Sequence, residues 1–96
     1  MFRLKIHRVV GQSMSPTLAD NDYVVCGLWP GFLPIKGCLV VVFHPQLHTL
    51  VKRVENIDRS GRLWLSGDSD SSISSDKMGW VDKKHIVGRV IYCISA

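Results

Sequence analysis

Apolar and polar residues along this chain fall into short runs, broken by turn formers before any run reaches the length of an ordinary helix. Met1-Phe2-Arg3-Leu4-Lys5-Ile6-His7-Arg8 alternates with a period of two, the mark of a strand. Cys38 to Phe43 is the longest continuous apolar run and suits a buried strand. Leu50-Val51-Lys52-Arg53-Val54 alternates apolar and charged positions, which sets Lys52 on the opposite strand face from Val51 and Arg53; periodicity alone assigns the Lys52 face to solvent. Taken with the Pro, Gly, Asp, Asn and Ser signals between them, the runs predict strands near 3–10, 22–28, 38–44, 48–57, 62–66 and 85–94. Arg59-Ser60-Gly61-Arg62 reads as a hairpin connection. Helix signals are confined to the turn after Ser13, where Pro16 and the paired Ser13 and Ser15 suit a short helical piece with Ser13 as N-cap. The fold expected is all-β, a small, strongly bent or barrel-like antiparallel sheet with little helix.

Composition narrows the possibilities. The 96 residues, 46% hydrophobic, make one small domain over 1–96 with a modest core. The net charge of +4 is spread along the chain without a basic block, and aromatic residues do not interleave with basic ones along a strand, so a nucleic-acid partner is not expected. A small RNA- or DNA-binding barrel is the weaker alternative for a basic all-β chain. No run approaches the ~20 apolar residues that span a bilayer, and the first residues lack a signal peptide's apolar core, so a cytoplasmic location without a transmembrane anchor is expected. The apolar stretch from Gly27 to Pro34 is read as core packing, with a patch that docks substrate or a membrane surface as the alternative.

Cys26, Cys38 and Cys93 are odd in number, widely spaced and set in apolar strand patterns, which reads as buried free thiols in a reducing compartment rather than a disulfide framework. Cys26, Cys38, His44 and His48 are conceivable metal ligands, but no closely spaced cysteine pair exists and Pro45 argues against a helix presenting both histidines; no metal and no cofactor are expected. Ser74-Ser75-Asp76-Lys77 fits Ser-x-x-Lys without its companion motifs and is read as coincidence.

Two residues carry candidate chemistry. Ser13 lies in Gly11-Gln12-Ser13-Met14-Ser15-Pro16-Thr17-Leu18, and a serine hydroxyl needs a base before it can act as a nucleophile. Lys52 lies among apolar neighbours, where burial disfavours the ammonium and makes a lysine a base. Taken singly, Ser13 is equally a capped turn and Lys52 a solvated surface charge.

In order and spacing, however, these motifs resemble the serine/lysine-dyad peptidases of the signal peptidase and LexA-type superfamily, the S24/S26 group. Gly11 to Leu18 resembles its nucleophile box, Gly-x-Ser-Met-x-Pro-Thr-Leu. Asp22-Tyr23-Val24-Val25 and Lys36-Gly37-Cys38-Leu39-Val40-Val41-Val42-Phe43 follow, with Cys38 where the family has aspartate. Val51-Lys52-Arg53-Val54 resembles the lysine box, Gly67-Asp68-Ser69 the Gly-Asp-Asn box, and His85-Ile86-Val87-Gly88-Arg89-Val90 the closing box. The boxes cover roughly residues 9 to 92.

The resemblance implies a coiled all-β catalytic fold and a mechanism: Ser13 attacks a peptide carbonyl, neutral Lys52 takes its proton and later protonates the leaving amine. Gly11 stands where relatives that cleave signal peptides place an oxyanion-binding hydroxyl, so the oxyanion would rest mainly on backbone N–H groups. It further implies a serine that orients the lysine, Ser72 first and Ser74 second, and an Arg53–Asp68 contact that is structural. The largest departure is the tract Asp68 to Lys77, where the family's Ser-x-Asp-Ser-Arg pattern is blurred; a polar surface loop is the competing interpretation. The chain looks closest to short anchorless members, a group that includes nickel-superoxide-dismutase maturation peptidases, and its nucleophile box differs from the LexA-like branch in having Pro16-Thr17-Leu18. The partner implied is a protein or peptide precursor, with peripheral membrane contact allowed. The function expected is limited proteolysis by a serine endopeptidase, and the alternative is a catalytically inactive protein-binding module on the same fold.

Overall fold

The computed structural model describes residues 3–10, 14–29, 34–44, 48–68 and 79–95, without the side chain of His48. The strands are β1 (Arg3–Arg8), β2 (Tyr23–Leu28), β3 (Leu39–His44), β4 (His48–Ile57), β5 (Leu63–Ser66), β6 (Trp80–Val81) and β7 (Ile86–Ile94). They form one antiparallel sheet in the order β1-β2-β7-β3-β4-β5-β6. The all-β expectation and six of the strands match the pattern in the sequence. β6 has no counterpart there, because two residues are too few to display a period.

The sheet buries apolar side chains on both faces. Val40, Val42, Val54, Leu63, Leu65, Val81 and Ile86 form one core cluster, and Val9, Met14, Leu18, Val24, Cys26, Val41 and Val51 form the other. Alternation along β3 divides its valines between the two, so Val40, Val41 and Val42 are all fully buried. Burying one such side chain is worth roughly 1.5–3 kcal/mol, which makes the run Leu39–Phe43 the natural centre of the fold.

Membership of the clusters also shows how the sheet bends. Val9, just past β1, meets Val51 of β4 although three strands lie between β1 and β4 in the sheet; on the other face Val81 of β6 meets Ile86 of β7. The sheet therefore curls in opposite senses on its two faces. Register shifts between Val25 and Cys26, Val41 and Val42, and Val54 and Asn56 supply the local bends that such curling needs. β7 crosses β2 so closely that a Cβ at Gly88 would stand 2.9 Å from the Gly27 carbonyl oxygen.

Two local expectations are corrected. The segment after Ser13 is a turn rather than a helical piece: residues 14–17 close through the Leu18 N–H donating to the Met14 carbonyl at 2.8 Å, with a cis Ser15-Pro16 bond. Proline's lack of an N–H and its fixed φ suit such a turn. The one helical element among the described residues is the 3-10 turn Lys83–His85, capped by Asp82. The cysteines are also not uniformly buried: Cys26 is, Cys38 is half-buried and Cys93 is exposed, since β7 runs out beyond the core at its C-terminal end.

The hairpin between β4 and β5 has the expected position. The Asp58 carboxylate accepts from the Arg62 N–H and Nε, both at 2.8 Å, and Gly61 takes φ +84°, a conformation that glycine adopts without strain. Of the apolar stretch from Gly27 to Pro34, Gly27 and Leu28 end β2 and Pro34 is buried, while residues 30–33 lie outside the described residues. No helix among the described residues is long and apolar enough to cross a membrane.

Candidate active site

Lys52 stands opposite Val40 in the β3–β4 ladder, between Leu50 and Val54 on the same strand face. Those three neighbours belong to or pack against the first core cluster, so the lysine points into apolar material and is 1% exposed. This corrects the expectation that its face meets solvent. Period-two alternation shows that the two faces of a strand differ, but in a sheet that curls over both faces neither one is solvent. Among the described residues the Lys52 Nζ has no hydrogen-bond partner. Desolvation alone drives its pKa below the usual 10.5 of a lysine, because nothing described compensates the buried positive charge.

Arg53 faces the other way and is fully engaged. Its Nε and Nη2 donate to the two carboxylate oxygens of Asp68 at 2.9 and 2.7 Å, and its Nη1 donates to the Gly37 carbonyl at 2.7 Å. The hydrogen bonds from Arg53 hold the Asp68 carboxyl below its ordinary range, reinforced by the Thr17 hydroxyl, which donates to the same group. Arg53 thus ties the turn at 14–18, the exit of β5 and the entry to β3 to the strand that carries Lys52. The Arg53–Asp68 contact is legible in the sequence boxes. The part of Thr17 in this contact has one signal in the sequence, its place in the Pro-Thr-Leu part of the first box.

The same turn is anchored by burial. Met14 and Leu18 are 1% and 2% exposed and share the second cluster with Val51. The residue directly after Ser13 and the residue directly before Lys52 are therefore members of one core cluster. Ser13 itself, with Gly11, Ser72 and Ser74, lies outside the described residues, so of the sequence-predicted site only Lys52, Arg53 and Asp68 are located.

A small indentation of about 20 Å³ lies beside this turn, lined by His7, Val9, Val10, Met14, Thr49, Leu50 and Val51. One wall is the tail of β1 and the other is the first half of β4. Pairing of β4 with β5 begins only at Arg53, so among the described residues Thr49–Val51 keeps one edge free of a strand partner. Burial lowers the His7 pKa below 6.5, which keeps the imidazole at this indentation neutral at pH 7. Free backbone groups along a strand edge are a template for an extended peptide. Among the described residues no group of three or more His, Cys, Asp or Glu side chains is placed to hold a metal ion.

The family model described as Peptidase S24-like matches residues 3–91, which takes in every element of this site. No curated protein matches the chain.

Proposed function

Since the chain belongs to the Peptidase S24-like family, we propose that it is a serine endopeptidase whose nucleophile is Ser13 and whose base is Lys52. The observation that carries this is the burial of the Lys52 amine, 1% exposed and without a hydrogen-bond partner among the described residues. A lysine kept for structure alone is paired or reaches solvent, because an unpaired buried ammonium is costly. A role as general base for Ser13 would give that cost a use.

A substrate strand adds to the free edge of Thr49–Val51, beside Val9 and Met14. Ser13 Oγ attacks the scissile carbonyl as its proton passes to the Lys52 Nζ. The lysine, now an ammonium, gives that proton to the departing amine and returns to its neutral state. Water then attacks the acyl-serine, again losing a proton to Lys52, and the acid product leaves with Ser13 restored. Backbone N–H groups around Gly11 and Ser13 are the donors for the oxyanion. Ser72 or Ser74 orients the Lys52 ammonium, and Arg53–Asp68 fixes the turn that presents Ser13. The substrate class is a protein precursor cut at a limited number of sites, in the manner of the short anchorless maturation peptidases.

The test is cleavage of a broad peptide pool, read by mass spectrometry, with wild-type protein and the Ser13→Ala and Lys52→Ala variants. Cleavage by wild type that both variants lose is the expected result. Cleavage that survives both changes would sink the dyad, and a wild-type protein that binds peptides without cutting them would assign the fold to a binding module instead.

A further inference from the structure

Alternation along β1 puts Arg3, Lys5 and His7 on one face, and Val9 continues that side of the chain. Leu4 and Ile6, on the other face, are 58% and 68% exposed. Both sides of the strand are therefore exposed over Arg3–Ile6, and the cationic side is the one shared with the second core cluster: Lys5 stands opposite buried Cys26 and His7 opposite buried Val24.

Two cavities follow each other along this face. His7 and Val9 line the small indentation beside the turn at 14–18. Arg3 and Lys5 line a neighbouring cavity of about 260 Å³, together with Phe43, Lys84 and His85. The opposite wall is continuous as well, because Phe43 of the cationic cavity and Thr49 of the indentation are cross-strand partners. No carboxylate lines the cationic cavity, and none of Arg3, Lys5 and Lys84 forms an ion pair among the described residues, where the pairs are Arg53–Asp68 and Arg62–Asp58.

We infer that this cavity is an extension of the substrate site that selects acidic side chains, so that the preferred substrates carry Asp or Glu several residues to one side of the scissile bond. The inference rests on the peptidase proposal for its substrate. Three cations without an ion-pair partner among the described residues complement a negative segment, and Phe43 in their cavity is the cross-strand partner of Thr49 on the free edge of β4. A nucleic acid fits less well, since Phe43 and His85 are the aromatic rings of the lining and no series of stacking platforms runs along a strand.

The experiment uses the Ser13→Ala protein, which holds peptide without turnover, and fluorescein-labelled ten-residue alanine-based peptides carrying two Glu residues near one end or the other, each matched by a Gln version. Anisotropy titrations at low salt should show one Glu peptide binding on the order of tenfold more tightly than its Gln match, the sum of a few exposed charge pairs, with the advantage shrinking as salt rises. The advantage should vanish in Arg3→Gln/Lys5→Gln/Lys84→Gln and persist in Arg3→Lys/Lys5→Arg/Lys84→Arg. Equal binding of Glu and Gln peptides overturns the inference, as does a preference that survives the triple Gln change. Tight binding of an oligothymidylate or of phosphatidylglycerol vesicles through the same three cations, without a Glu preference, overturns it in favour of those partners. A Glu preference in a protein that shows no Ser13-dependent cleavage would support the groove while contradicting the peptidase proposal.

Discussion

Lys52 and Arg53 are adjacent in β4 and have opposite surroundings: Arg53 is locked to Asp68 by two hydrogen bonds of 2.9 and 2.7 Å, while the Lys52 amine is buried with no hydrogen-bond partner among the described residues. One side chain spends its charge on holding segments together. The other has its charged form disfavoured by burial. Both outcomes follow from the period of a strand laid between two apolar cores.

Replacing Lys52 by methionine should stabilise the protein, because a flexible apolar side chain of similar length fills the site without an amine to desolvate. The gain expected at pH 7 is about 1–3 kcal/mol, the usual cost of an unsatisfied buried polar group. The folded pKa of Lys52 lies below its unfolded value of 10.5, so the unfolded chain binds the proton more tightly. The penalty is therefore complete below the folded pKa and fades as pH rises toward 10.5. Urea denaturation at pH 7 and pH 10 should show the advantage of Lys52→Met narrowing at the higher pH; a variant less stable than wild type at pH 7 would contradict the burial argument.

Asp68→Asn removes the charge that Arg53 and Thr17 share. A loss of about 1.5–3 kcal/mol is expected at pH 7, as for hydrogen bonds to a charged group. Because the folded pKa of Asp68 is depressed below 3.8, its stabilisation is present above that value and is lost as pH falls through the folded pKa. Acid unfolding below pH 4 should accordingly be less steep in the variant than in wild type. Identical acid limbs would mean that the pair adds nothing.

The sequence displays these features unevenly. Strands β1 to β5 and β7 show through periodicity and turn residues, and the Arg53–Asp68 contact shows through the order of the boxes. The surroundings of Lys52 do not, because alternation marks two faces without saying that both are covered. β1 makes the same point in reverse, with Leu4 and Ile6 exposed although they are the apolar side of the strand. Such inversions come from the path of the whole sheet, which depends on bulges that leave no local signature. Cys93 looked like a core residue for the same reason, since a run of apolar residues does not reveal where its strand leaves the core.

Gly88→Ala tests the close crossing of β7 over β2. A methyl group there would meet the Gly27 carbonyl oxygen at 2.9 Å and the Cys26 Cβ at 3.2 Å, and backbone has to move to admit it. Overpacking of this kind should cost about 1–3 kcal/mol, measured as a shift in the urea midpoint. An unchanged midpoint would show that the two strands separate freely.

Thiol labelling separates the cysteines. Cys93 is exposed and should react with a maleimide in the native protein, whereas Cys26 is buried, with its pKa raised by desolvation, and should react only after unfolding. Peptide mapping of a brief native pulse checks this. Modification of Cys26 at the rate of Cys93 would contradict the packing of β2.

The central claim is that a neutral Lys52 activates Ser13, and acyl transfer from a peptidyl p-nitrophenyl ester tests it directly. Intact-mass and peptide-mapping measurements should find a single acyl group on Ser13 of the wild-type protein. Its rate of formation should rise with pH through a Lys52 pKa below 10.5, and Lys52→Met should abolish the adduct while remaining folded. An acyl group on Ser13 that forms as fast in Lys52→Met as in wild type, or that forms elsewhere, would contradict the account.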